Sequence, residues 1–136
     1  MTQDKIVDIP PNRIKFFGGA GKMLLPSQAT VESALNQVPP NKLVTTSRLC
    51  QKLSNQFNVE GTCPVTTKKA IVALAKDSDK NVPYWRVVNQ NGGLVSQFPG
   101  GVESQATLLR EAGFTIETTG KGPKVKNLKE NLVRLE

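Results

Sequence analysis

The chain contains no histidine at all. That absence excludes Ser-His-Asp and Cys-His catalysis and removes the commonest metal ligand. Cysteine is nearly as scarce, with Cys50 and Cys63 the only two. Two thiolates without an imidazole cannot complete four tetrahedral ligands, so no metal site is expected. Nothing in the context supports a disulfide. Cys50 falls among the apolar positions of a helical pattern, where a small buried hydrophobe is the default reading. Aromatic residues make up 5% of the chain, with one Trp and one Tyr. No apolar run approaches the ~20 residues of a membrane span; the longest, "AIVALA" from Ala70 to Ala75, is bounded by lysines. The first residues lack an export pattern, so a cytoplasmic location and no membrane partner are expected. "GGAGK" (Gly18 to Lys22) lacks the Gly-x4-Gly-Lys-Ser/Thr spacing of a phosphate loop, and no cofactor is expected.

What is abundant is positive charge. Lys and Arg number 18 against 11 acids, a net +7, with a pI near 9.7. Such an excess favours polyanions such as nucleic acid, and equally fits a solvated surface; the placement of the cations decides. At 136 residues the chain is one domain by length and can bury roughly two-thirds of its unfolded surface. Residues 1–26, with "DIPPNR" and "GGAGK", read as an irregular lead-in, and 27–136 as a single domain.

Within that domain Val31, Ala34, Leu35 and Val38 form one helical stripe, with Ser27 or Thr30 as cap and Pro39-Pro40 as stop. A short extended piece, Leu43 to Thr45, leads into a second helix capped by Thr46 or Ser47, with Leu49, Cys50, Leu53 and Phe57 inward. "NVEGTCP" is a turn. A third helix follows, capped by Thr66 or Thr67, with Ile71, Leu74 and Ala75 inward. Lys68 and Lys69 in its first turn oppose the helix dipole, which suits an anion site better than a bare surface. Two helices, a tight turn and a basic helix start are the layout of a helix-turn-helix. "YWRVV", a turn at "NQNGG" and "LVS" read as a hairpin. A fourth helix places Val102, Ala106, Leu109 and Ala112 inward and stops at Gly113. "FTIET" to "KVKNL" reads as a second hairpin with a basic glycine tip, a wing. Asn127 and Glu130 stand at capping-box spacing before Leu128, Leu132 and Leu135. The fold class is therefore α+β, mainly α with small β-hairpins, of winged helix-turn-helix type.

"VPYWRVV", "FPGGVESQATLLREAG" and "VPPNKLVTTSRLCQKL" together resemble the DNA-binding domain of methylated-DNA–protein cysteine methyltransferases, from about Ser27 to Leu128. The family signature is Pro-Cys-His-Arg-Val, then Gly-Gly, then a helix with Leu-Leu. Tyr84 stands where the family has its alkyl-accepting Cys, and Trp85 where it has the activating His. A phenol with a pKa near ~10 is protonated and weakly nucleophilic at neutral pH. The resemblance therefore implies the alkyltransferase-like branch, which keeps the fold and lesion pocket without alkyl transfer. The family's phosphate-rotating Tyr falls on Thr46, its intercalating Arg on Thr67 or Lys68, and its helix-terminal Glu on Ala112, one place from Glu111.

By that likeness Pro83, Tyr84, Trp85, Arg86, Gly100 and Gly101 are candidate lesion-pocket residues, and no catalytic residue is expected. Tyr84 is read as pocket wall and Trp85 as a core anchor. Arg86 is a brace to backbone carbonyls or to Glu103, and Gly100-Gly101 a positive-φ turn. Candidate DNA-binding residues are Thr46, Arg48, Lys52, Thr66, Thr67, Lys68 and Lys69, with Lys42 and the wing residues Lys121, Lys124 and Lys126 beside them. The expected partner is double-stranded DNA carrying alkylated guanine, with repair proteins as further partners and the chain itself a monomer. Besides a protein-interaction module whose basicity is incidental and whose binding would not respond to salt, two rival readings stand beside this one. One is a winged-helix regulator that reads sequence. The other is an alkyltransferase that uses Cys63 as a displaced acceptor, its thiol activated by a helix start and nearby lysines.

Overall fold

The computed structural model describes residues 3–39, 42–77, 82–119 and 122–132. In chain order the elements are β1 (Lys5–Asp8), a 3-10 turn (Pro11–Arg13), α1 (Ile14–Phe17), β2 (Lys22–Leu25), α2 (Gln28–Asn36), β3 (Val44–Thr45) and α3 (Thr46–Phe57). Then come β4 (Gly61–Thr62), α4 (Pro64–Lys76), a 3-10 turn (Tyr84–Arg86), β5 (Val87–Val88), α5 (Gly101–Glu111), β6 (Ile116–Thr119), β7 (Gly122–Val125) and α6 (Leu128–Asn131). The α+β class and the helix-turn-helix, formed by α3, β4 and α4, are as the sequence indicates.

The helices form where apolar stripes recur. Val31, Ala34, Leu35 and Val38 are all buried, and the Ser27 hydroxyl caps α2 by accepting the Thr30 N–H at 3.2 Å. Pro39 follows that helix closely; Pro40 lies outside the described residues. Leu49 and Leu53 of α3 meet Ile71 and Leu74 of α4 in the larger core, which Leu24, Val87 and Phe98 complete. A second cluster gathers Leu43, Val88, Leu109, Phe114 and Val125 under the β6–β7 hairpin. Those strands pair antiparallel from Ile116↔Val125 to Thr119↔Gly122, which is the expected wing. Its tip residue Lys121 lies outside the described residues.

Several local readings change. The segment read as irregular is structured: β1 pairs antiparallel with β2, and β2 pairs in parallel with β4 inside the helix-turn-helix turn. Its strands were hidden because their third partner is only two residues long and distant in sequence. Thr45, not Thr46 or Ser47, caps α3, its hydroxyl accepting the Arg48 N–H at 3.1 Å. α4 starts at Pro64 after Cys63, earlier than a Thr66 or Thr67 cap would allow. Proline suits that first position, since its missing N–H would have had no helical partner. Val87–Val88 does not pair back on "LVS" as a hairpin. It runs parallel to β3, Val44↔Val87 and Thr45↔Val88, while Leu94 and Val95 are buried in the cores. Cys50 is half-buried rather than buried, and Ala112 is exposed because α5 has ended at Glu111. Asn127 adopts a left-handed backbone (φ 57°) and its side chain makes no cap, so the capping box does not form. Leu135 lies outside the described residues.

Candidate nucleic-acid interface

The starts of α3 and α4 lie side by side and bound one surface hollow of about 290 Å³, lined by Thr46, Ser47, Pro64, Val65, Lys68, Asn89 and Gln90. Two further hollows continue from it. One of about 500 Å³ shares Val65 and Lys68 and extends along α4 past Lys69, Val72, Ala73 and Lys76 to Gln97. The other, about 610 Å³, shares Thr46, Ser47, Pro64 and Gln90 and reaches Phe16, Phe17 and Cys50. Together they make a continuous trough across the helix-turn-helix. Among the described residues Lys68, Lys69 and Lys76 form no salt bridge. Among the described residues the only carboxylate lining the trough, Glu60, accepts the Lys22 backbone N–H at 2.6 Å. A cationic trough with an apolar floor suits a polyanion that also carries flat apolar faces.

The expected DNA-binding residues divide unevenly. Thr46, Thr66, Lys68 and Lys69 reach the surface of the two helix starts, and Arg48 is exposed. Lys52 lies a turn further along α3, half-buried. Lys42 turns away, donating its ammonium to the Glu130 carbonyl at 3.0 Å. Thr67, expected beside Lys68 and Lys69, faces the other way. It is fully buried, and its hydroxyl donates back to the Cys63 carbonyl at 2.8 Å while Cys50 Sγ approaches it at 3.6 Å. A threonine hydroxyl satisfied four residues back along its own helix faces the core, so of the two positions the resemblance offers for the intercalating Arg only Lys68 reaches the surface.

The second half of the site is the turn Tyr84–Arg86, which lies between the two cores. Tyr84 packs on the larger core, its ring edge-on to Phe98 with centroids 5.0 Å apart. Trp85 packs on the smaller one, consistent with a core anchor. Arg86 stacks over the Trp85 ring at 4.7 Å and donates to the Val38 carbonyl at 3.2 Å, which binds the turn to the end of α2 rather than to Glu103. Its Nε is buried without a partner among the described residues, and burial pulls the guanidinium pKa down. Pro83 precedes the turn, and its carbonyl accepts the Arg86 N–H at 3.2 Å.

One residue not expected at the site holds it together. Gln105 of α5 is 1% exposed. Its side-chain amide donates to the Trp85 and Val87 carbonyls at 2.9 and 2.8 Å, and its oxygen accepts the Val95 N–H at 2.7 Å. Its position beside Ala106 on the inner stripe of α5 was the available signal. Gly100 and Gly101 have φ of 80° and 69°. A Cβ on Gly100 would meet Ser104 Cβ at 2.6 Å, so the turn that delivers Phe98 to Tyr84 needs glycine there. The six expected pocket residues thus share one turn and its supports, yet none of them lines the three hollows. The hollow nearest in sequence ends at Gln97, beside Phe98.

Cys63 belongs to a third, small cluster with Ile9 and Met23 of the N-terminal segment. It is 4% exposed. Burial works to raise its thiol pKa, but hydrogen bonds from the Thr66 hydroxyl and amide and from Arg13 outweigh burial and bring it below the ordinary value. Arg13 Nη1 lies 3.3 Å from the sulfur. Burial pushes the Cys50 thiol up, against the effect of its hydrogen bond with the Thr67 hydroxyl. A sealed thiol held by Arg13 is poorly placed to accept an alkyl group from a bound base. Among the described residues no helix is long and apolar enough to cross a membrane.

Two helices with a basic second start, a two-stranded wing and a cationic trough define a winged helix-turn-helix DNA-binding domain. The family profile described as "6-O-methylguanine DNA methyltransferase, DNA binding domain" matches residues 26–114, and the chain belongs to that family. Two solved structures are similar to it. One is S. pombe Atl1 in complex with damaged DNA containing O6-carboxymethylguanine. The other is S. pombe ATL in complex with DNA. Each is 22% identical, with a TM-score of 0.60, covering 79% of this chain and 94% of the other. That likeness is one of fold. No curated protein matches the chain in a sequence search.

Proposed function

We propose that this protein binds duplex DNA through the trough across α3 and α4 and senses alkylated guanine beside Tyr84, without removing the alkyl group. The observation that carries the reading is Tyr84 itself: an unreactive phenol at the family's acceptor position, edge-on to Phe98 in a turn that packs against α4, whose lysine-lined groove ends at the neighbouring Gln97. A base turned into that groove would meet an apolar floor formed by Val72 and Ala73 and cations at its rim. Base–aromatic stacking contributes ~1–3 kcal/mol per base. Lys68, Lys69 and Arg48 would neutralise phosphates, which makes affinity fall with salt. The Atl1 structures, whose fold this chain shares, hold damaged DNA containing O6-carboxymethylguanine and DNA, and the same ligand class fits this site.

The test is a fluorescence titration of matched duplexes with and without one O6-alkylguanine, followed by mass spectrometry of the protein. Tighter binding of the alkylated duplex with no mass increase on the protein is expected. Equal affinity for the two duplexes removes lesion sensing. An alkyl adduct on Cys50 or Cys63 makes the protein an enzyme.

A further inference from the structure

The trough does not stop at the helix-turn-helix. Its far end is built by α1, part of the segment 3–25 that precedes the residues matched by the family profile. Phe16 is 69% exposed there, the most exposed of the large apolar side chains among the described residues. A singly exposed apolar side chain is common on protein surfaces. This one is not on a loose end.

Phe17, beside it, is fixed. Its ring covers Gly61 so closely that a Cβ at that position would meet ring carbon Cδ1 at 2.3 Å. Arg13 lies over the same ring at 5.9 Å, and the two phenyl rings meet edge to face at 5.0 Å. The helix-turn-helix turn thus holds α1 through Phe17 and leaves Phe16 pointing away. The charge around Phe16 also fits a polyanion. Lys15 is exposed and has no ion pair among the described residues. The acids near it are occupied: Asp4 accepts from Ser27 and Thr30, Asp8 pairs with Lys22, and Glu60, which lines the same hollow as Phe16, accepts the Lys22 backbone N–H. With Thr67 turned inward, α4 offers lysines but no large flat side chain on its exposed face.

We propose that Phe16 is a base-stacking contact at the edge of the DNA footprint, so that the N-terminal segment is a third DNA-binding element beside α3 and α4. An exposed, rigidly backed aromatic next to a phosphate-binding surface is the arrangement that wedges against a base step or stacks on an unpaired base. The proposal rests on the duplex-binding reading above and extends it to residues outside the matched family domain.

Fluorescence anisotropy with a labelled unmodified duplex at several salt concentrations tests it, on the full chain, Phe16→Ala, Phe16→Trp and the double variant Lys68→Gln/Lys69→Gln. Phe16→Ala is expected to weaken binding roughly tenfold with an unchanged salt slope, because the lost contact is uncharged. Phe16→Trp should restore affinity. The double variant should both weaken binding and flatten the slope. An unchanged urea midpoint for Phe16→Ala shows that the effect is not one of folding; were the midpoint to drop, Phe16→Trp keeps the ring and its added indole emission must then change when duplex binds. Phe16→Ala binding within twofold of the parent, while the lysine variant is weakened, removes Phe16 from the interface and leaves DNA binding standing. No duplex binding by the parent chain removes both. A dimer in sedimentation that Phe16→Ala splits, at unchanged DNA affinity, assigns the ring to a second copy and overturns the proposal.

Discussion

The Phe17 ring occupies the space where any residue other than glycine would place its Cβ at position 61, ring carbon Cδ1 standing 2.3 Å from that point. Through this contact the segment before α2 is seated on the turn between α3 and α4. Gly61→Ala must therefore displace Phe17 or shift β4, and overpacking of this kind costs about 1–3 kcal/mol. Urea denaturation should show that loss, and Phe17→Ala in the same background should recover part of it by removing the clash.

Gln105 predicts a larger loss. Gln105→Leu leaves the Val95 N–H and the Trp85 and Val87 carbonyls without their partner inside the protein. Each buried orphan costs about 1–3 kcal/mol. A drop of more than 2 kcal/mol in unfolding free energy is expected, with new solvent exposure of Trp85 read as a red shift in its emission.

Tyr84→Ala should separate lesion sensing from general binding. Its ring contacts Phe98 and is remote from Lys68 and Lys69 in sequence. Affinity for the alkylated duplex should fall by roughly five- to tenfold, in line with the loss of one stacking contact. Affinity for the plain duplex should change less than twofold. The same titration measures both.

Cations along α4 make a separate prediction. Each of Lys68→Gln and Lys69→Gln should reduce the slope of log K against log salt by about 0.9, the value for one phosphate contact on duplex DNA. Lys42→Gln, whose ammonium is turned to the Glu130 carbonyl, should leave that slope unchanged.

Asp4 gives a pH dependence with a definite sign. Burial works to raise its pKa, but hydrogen bonds from the Ser27 amide and from the Thr30 and Ser27 hydroxyls outweigh it, and the carboxyl lies below its ordinary value. A depressed carboxylate stabilises the fold above its unfolded pKa, and that stability is lost as pH falls through the folded value. Asp4→Asn should thus lower the melting temperature at pH 7, by an amount equivalent to about 1 kcal/mol. The difference between the two proteins should shrink toward pH 3. Thermal melts across that range measure it.

The helices were legible in the sequence because their stripes are local: Val31 to Val38, Leu49 to Leu53 and Ile71 to Leu74 repeat at three and four, and each side chain is buried. The wing was legible for the same reason, two β-rich runs about a glycine tip. The strands of the N-terminal segment were not, since β2 gains its parallel partner only from Gly61–Thr62. Val87–Val88 was recognised as extended, but its partner lies far upstream at Val44–Thr45. At the site, Tyr84, Arg86 and the two glycines could be placed from motif order. Gln105 stands on the inner stripe of α5, but a glutamine in a helix reads as surface until its three partners are seen. Thr67 failed for the converse reason: beside two lysines it looked exposed, and its hydroxyl is satisfied inside the helix.

The parallel pairing of Val44–Thr45 with Val87–Val88 has a mechanical consequence. Thr45 caps the helix that faces the groove, and Val87 directly follows the aromatic turn. This one backbone ladder, two residue pairs long, therefore ties the entry of that helix to the Tyr84 segment, so that the two move together. Discrimination by this protein would then be that of a stiff gauge, which accepts or refuses the shape presented to it, rather than that of a jaw closing around it.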